Sequence, residues 1–142
     1  MRTMIAPLSV IARMRDAINT HDLDALAACF APDYASEFPA HPDRAFRGTD
    51  PMRGNWTQIF AGAPDITATL LRCTADGETV WAEWEWRGTR ADGAPFAMCG
   101  VTIQGVLDDR IVWARLYMEP VQAGGTGNAE AIRAGISGGR PV

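Results

Sequence analysis

A chain of 142 residues, 47% hydrophobic and 21% charged, is long enough for one domain with a substantial core. Net charge is −4 and all 13 basic residues are arginine, which excludes lysine Schiff-base and lysine-nucleophile chemistry. Scattered arginines with no basic patch argue against a nucleic-acid partner. Cys29, Cys73 and Cys99 lie within apolar runs and read as buried thiols of a reducing compartment, not as a disulfide framework. No apolar run is long enough for a membrane span. Arg13, Arg15 and Asp16 interrupt the N-terminal segment too early for a signal peptide, so a cytoplasmic protein without a membrane partner is expected.

Ile11, Met14 and Ile18 stand at helical spacing and predict a helix from about Ser9 to Thr20. Asp22 is a good N-cap for a second helix, whose stripe Leu23, Leu26 and Phe30 is ended by Pro32. Tyr34–Phe38 then forms a short strand with Tyr34, Ser36 and Phe38 inward, followed by a proline-rich loop, Pro39–Arg44. Asp50 as cap and Pro51 in the first turn open a third helix, with Met52, Trp56, Ile59 and Phe60 inward and Gly62 and Pro64 closing it.

Strand and turn follow. Ile66–Thr74, Glu78–Arg87, Phe96–Val106 and Ile111–Val121 are strands joined at Ala75-Asp76-Gly77, Ala91-Asp92-Gly93 and Asp108-Asp109. In Glu78–Arg87 the residues Val80, Ala82, Trp84 and Trp86 alternate with Thr79, Trp81, Glu83, Glu85 and Arg87. Turning Glu83 and Glu85 inward would cost about several kcal/mol each, so Trp84 and Trp86 face the interior and Trp81 the outer face. In the last strand Leu116 and Met118 point inward, and Arg115, Tyr117 and Glu119 outward. Helices first and then an antiparallel meander give an α+β class. Residues 1–122 form the domain, and 123–142 a glycine-rich flexible tail with a helical turn around Ala129–Arg133. The G-G-x-G at Gly124–Gly127 has the wrong spacing and setting for a dinucleotide fingerprint.

Four stretches carry a family resemblance: Asn19-Thr-His-Asp-Leu-Asp-Ala-Leu26 through Phe30, Phe46-Arg-Gly48, Trp84-Glu-Trp-Arg-Gly-Thr89, and Arg110-Ile-Val112. In this order of elements the chain resembles the nuclear-transport-factor-like superfamily, most of all its SnoaL-like and ketosteroid-isomerase-like branch, over roughly Ser9 to Val121. The resemblance implies N-terminal helices packed in the concavity of a strongly curved antiparallel sheet, a cone with a pocket at one end, and frequent dimerisation through the sheet. The family's acids do not carry over. Where ketosteroid isomerases have a tyrosine on the first helix this chain has Met14, and their base aspartate falls on Phe38. Their second aspartate falls near Val101 or Thr102. The charged residues of the related epoxide hydrolases fall near Trp84, Trp86 and Leu116, and the last-strand aspartate of the cyclases has no inward counterpart.

His41 is therefore the catalytic candidate, a loop imidazole near the expected pocket mouth with a reference pKa suited to general-base work. The simpler alternative is a loop histidine bonded to a backbone carbonyl, and that alternative is preferred for His21. Tyr34, Phe38, Arg53, Asn55, Trp56, Trp84, Trp86, Met98, Leu116 and Met118 are the expected ligand-binding wall, with Arg53 or Asn55 available for a substrate oxygen. Two isolated histidines give no metal site, and no cofactor is called for. Two functions stand side by side. One is an isomerase, cyclase or hydrolase of a small apolar metabolite; the other is a non-catalytic ligand-binding or dimeric assembly domain. The expected partners are a small apolar or aromatic ligand and a second copy of the chain, through the outer sheet face around Trp81.

Overall fold

The computed structural model describes residues 6–137. Helix α1 (Ala6–Asn19) buries Val10, Ile11, Met14, Ala17 and Ile18 along one stripe. After a turn in which His21 takes a positive φ of 55°, Asp22 caps α2 (Leu23–Ala27) by accepting from the Ala25 N–H at 3.0 Å. Two side chains fasten this corner to the sheet. Asn19 exchanges two hydrogen bonds with the Ala68 backbone at 2.6 and 3.0 Å, and His21 Nε2 lies 2.8 Å from the Ile66 carbonyl oxygen.

The second helix is shorter than its apolar stripe predicts. It closes after one turn, and Phe30 opens strand β1 (Phe30–Glu37) instead of ending the helix. The reason is a non-local pairing: the Ile111 N–H donates to the Cys29 carbonyl at 2.8 Å, and Phe30 pairs with Ile111. Pro32, which has no N–H to give, is exposed and sits where the register shifts between Phe30 and Ala35. Phe38 lies one residue past the strand. A 3₁₀ turn (Pro42–Arg44) and β2 (Phe46–Arg47) lead to α3 (Thr49–Gly62). That helix starts at Thr49, so Asp50 lies in its first turn and is not its cap. Gly48, at φ 95°, takes the cap position and donates its N–H to Tyr34 at 2.7 Å. Asp50 still complements the positive helix end.

Strands β3 (Thr67–Asp76), β4 (Thr79–Thr89), β5 (Pro95–Leu107) and β6 (Arg110–Pro120) complete a six-stranded sheet in the order β2-β1-β6-β5-β4-β3. It is mostly antiparallel, with β1 and β6 parallel. The fold is α+β, with α1, α2 and α3 on the concave side of a curved sheet. Along β4 the buried residues are Val80, Ala82, Trp84 and Trp86, in the register that the cost of burying Glu83 and Glu85 dictates. At Gly100, φ 150°, an added Cβ would lie 2.0 Å from the Tyr117 carbonyl oxygen, so only glycine lets β5 and β6 approach this closely. Three thiols with one fate is not what forms: Cys29 is buried, Cys73 half-buried and Cys99 exposed. Cys99 lies opposite Glu85 and Glu119, in the outward phase of β5. Beyond β6, helix α4 (Asn128–Ile136) is longer than the single turn expected and buries no residue. The end of the predicted tail, 138–142, lies outside the described residues. No helix among the described residues is long and apolar enough to cross a membrane.

Candidate functional site

Between α1, α3, β1 and the concave faces of β4, β5 and β6 lies a cavity of about 190 Å³. Its apolar wall is built from Met14, Phe30, Phe46, Met52, Trp56, Ile59, Trp86, Met98, Leu116 and Met118. The rings interlock. Trp56 and Trp86 have centroids 5.3 Å apart, Trp84 stands edge-on behind Trp86 at 6.2 Å, and Phe30 meets Tyr34 at 4.7 Å. Such tilted and edge-to-face pairs fix ring orientation beyond what area burial does.

A chain of neutral polar groups forms one side of this cavity. Buried Trp84 donates its indole N–H to Thr102 Oγ1 at 2.9 Å, and Thr102 donates to Gln104 Oε1 at 2.8 Å. The Gln104 amide then approaches Met14 Sδ at 3.7 Å. Thr102 and Gln104 are 1% and 2% exposed, so without this chain their polar atoms would be unsatisfied in an apolar interior. On β1, Tyr34 and Ser36 add two hydroxyls. Burial pushes the Tyr34 phenol up to about 12, against the smaller opposing pull of a hydrogen bond with Ser36. Tyr34 is therefore a neutral hydrogen-bonding group at physiological pH and not a base. The buried Trp86 Nε1 has no hydrogen-bond partner. Among the described residues that line the cavity there is no carboxylate and no histidine.

The residues expected from sequence to form the wall divide in two. Tyr34, Phe38, Asn55, Trp56, Trp86, Met98, Leu116 and Met118 line the cavity; Trp84, Arg53 and His41 do not. Trp84 is fully buried behind the wall and acts on it through Thr102. Arg53 turns away to Asp24 at 2.6 Å, beside a separate shallow hollow that also holds Arg110. His41 precedes the 3₁₀ turn, with its Nε2 2.5 Å from Glu119 Oε1 at the end of β6. It thereby links the loop carrying Phe38 and Arg44, both of which line the cavity, to the last strand.

Sequence reasoning left out Thr102, Gln104 and Arg44 as site residues, and from the rest of the wall also Met14, Phe30, Ser36, Phe46, Met52, Ile59 and Ala114. The signal for the first two was the alternation Met98, Gly100, Thr102, Gln104, which puts both polar residues on the face of β5 that carries Met98. The turn that carries Arg44 is local, with Pro42 in its first position, but nothing in the sequence around it says that it borders the cavity. Asn55 and Ile59 are shared with a larger, shallow depression reaching Arg90 and Phe96, so α3 borders both spaces. Chemically, the cavity can enclose an apolar ring and offer hydrogen-bond donors to an oxygen on it. It brings no anionic base to that ring.

The SnoaL-like domain family matches residues 11–114. Among solved structures, the chain is similar to wild-type IdmH, a proposed polyketide cyclase from Streptomyces antibioticus. The two are 28% identical, with 80% of this chain and 91% of that chain covered and a TM-score of 0.68. An epoxide hydrolase of M. tuberculosis, described as LEH-like, shares 17% identity over 82% of this chain and 84% of its own, with a TM-score of 0.70. A proposed isomerase from Bacillus subtilis shares 18% over 84% and 90%, with a TM-score of 0.73. The last two likenesses bear on the fold alone. No curated protein matches the sequence.

Proposed function

Because this chain belongs to the SnoaL-like domain family, we propose that it takes a compact, largely apolar, ring-bearing metabolite into its cavity and acts on it as an isomerase, cyclase or hydrolase. The observation that carries the reading is the cavity itself, an aromatic and methionine wall on which several neutral polar groups converge. The size supports a one- or two-ring ligand, since an apolar cavity of about 150 Å³ takes up benzene. Chemistry here works by polarising a substrate oxygen with donors from Tyr34 and Asn55, which stabilise charge as it develops. His41, already paired with Glu119, acts as a positioning residue for the cavity's loop.

A second reading, a binding domain without turnover, is favoured by the lack of any carboxylate or histidine among the lining residues. One experiment separates both from a self-filled interior. A panel of monocyclic and bicyclic ketones and hydrocarbons should quench tryptophan emission and raise the melting temperature, with a smaller emission change in Trp86→Phe. If no compound does either, the cavity reading fails. If compounds bind but product analysis finds none transformed, the second reading stands.

The same proposal takes the outer sheet face as a contact between two copies. Trp81 is 49% exposed there, beside Glu83, Glu85 and Arg87 on the same strand. A two-fold pair matches such a patch to itself.

A further inference from the structure

We propose that Arg44 makes the cavity selective for a ring-bearing carboxylate, with the ring enclosed and the carboxylate held at the mouth by the guanidinium. This rests on the cavity reading above and narrows its ligand. The arginines of the sheet and helices are largely committed: Arg53 to Asp24, Arg72 to Glu83, Arg87 to Glu85, Arg90 to Asp92 and Arg115 to Glu37. Arg44, like Arg47 and Arg110, has no carboxylate partner among the described residues, and what sets it apart is that it alone of the described arginines lines this cavity. Of the nearby acids, Glu119 is taken by His41 and Glu37 by Arg115, and Asp43, beside Arg44 in the turn, makes no ion pair with it.

The base of the side chain is held in place before any ligand arrives. The Arg44 N–H donates to the His41 carbonyl at 2.9 Å, the His41 N–H to Phe38 at 2.8 Å, and the Ala45 N–H to Pro42 at 3.2 Å. His41 fixes the same turn to β6 through Glu119. A turn tied at this many points loses little freedom on binding. The guanidinium fork matches the two oxygens of a carboxylate, and its single positive charge neutralises a monoanion. A doubly charged phosphate monoester would keep a net charge beside the apolar rings of Phe38 and Phe46. The remaining lining groups point the same way. Tyr34 stays protonated and Trp86 Nε1 is an unpartnered donor, so the wall has donors without a competing anion.

Matched probes test this. Dissociation constants of 3-phenylpropanoate and 3-phenylpropanol are measured by amide chemical-shift titration at low ionic strength, for the wild type, Arg44→Gln and Arg44→Lys. The carboxylate should bind the wild type about fivefold more tightly than the alcohol, a modest factor because Arg44 is exposed to solvent. Arg44→Gln should abolish that preference without weakening the alcohol, and Arg44→Lys should keep part of it. Equal affinity of the two probes for the wild type, or an undiminished preference in Arg44→Gln, overturns the proposal and leaves the cavity reading intact. Failure of both probes to bind the wild type overturns the cavity reading and this proposal with it.

Discussion

The indole of Trp84 and the hydroxyl of Thr102 are joined by a 2.9 Å hydrogen bond, which ties the buried centre of β4 to the polar side of the cavity on β5. Thr102→Val keeps the volume but leaves the Trp84 N–H and the Gln104 oxygen without their partner. Stability should fall by about 1–3 kcal/mol, the usual cost of unsatisfied buried groups. Adding Trp84→Phe removes one of the stranded groups, so the double variant should lose less than the sum of the singles. Urea denaturation of the four proteins measures the coupling, and strict additivity would show that the bond carries no energy of its own.

Tyr34 gives a pH dependence with a definite sign. Its folded pKa, about 12, lies above the ordinary tyrosine value of 10.0, so the folded state holds the phenol proton more tightly than the unfolded chain does. The stability from burying the neutral phenol is complete below pH 10 and is lost as pH rises toward 12, by about 2–3 kcal/mol in all. Burial also raises the Cys29 and Cys73 thiols, but these contribute in wild type and variant alike and cancel in the comparison. The stability difference between wild type and Tyr34→Phe should therefore shrink across that window. A difference that stays constant from pH 9 to 12 would mean that the phenol is solvated in the native state.

How much of this was legible in the sequence depended on how local the cause was. The inward phase of Val80, Ala82, Trp84 and Trp86 follows from alternation and the cost of burying Glu83 and Glu85, both present in the strand itself. Asp22 as a cap is equally local. The exchange of helix for strand at Phe30 depends on Ile111, far along the chain, and no pattern around Phe30 encodes it. Leu71 shows a similar limit. It lies outward at 48% exposure, in the phase opposite Ala68 and Leu70, and the register shift between Leu70 and Arg72 then puts Arg72 outward as well and moves the inward phase to Cys73, which alternation alone does not predict. At the site, Trp56, Trp86, Met98, Leu116 and Met118 were readable from phase, whereas Phe30 and Phe46 reach the wall through pairings that no local pattern encodes. The pairing of His41 with Glu119, which occupies the imidazole outside the cavity lining, joins two segments that have no sequence relation.

That pairing distinguishes a positioning role for His41 from a general-base role. Both groups are more than a third exposed, so His41→Ala should cost less than about 1 kcal/mol of stability. Loss of the tether frees the turn that carries Arg44 and Phe38, and ligand affinity should weaken by about threefold to tenfold. Glu119→Gln should reproduce part of the effect, since it weakens the same contact. On any substrate found for the protein, the change should then fall mainly on KM. A loss of about a hundredfold in kcat with binding preserved would instead identify the imidazole as the proton-transfer group.

The outer face of the sheet carries an apolar area centred near Trp81. Cross-strand register places Trp81 opposite Ile103 and Ile103 opposite Arg115, with Val101 between Glu83 and Tyr117. Trp113 and Tyr117 are also exposed large side chains of β6, so the apolar area extends beyond the single tryptophan. The Trp113 ring lies flat enough over Gly105 that an added Cβ would meet its Nε1 at 1.9 Å, which keeps the indole down against the sheet. An area of this kind, with Glu83, Glu85, Arg87 and Arg115 among its polar neighbours, has the apolar centre and charged rim of a subunit contact. Two copies related by a two-fold axis would bring Trp81 near the middle, where Trp81→Glu introduces two carboxylates into desolvated surface. Sedimentation velocity at tens of micromolar or so should give twice the chain mass for the wild type and a shift toward monomer for Trp81→Glu. The variant should retain its fold and its ligand affinity, because Trp81 lies on the face away from the cavity. A wild-type monomer at that concentration would leave the apolar face without a second copy as its partner.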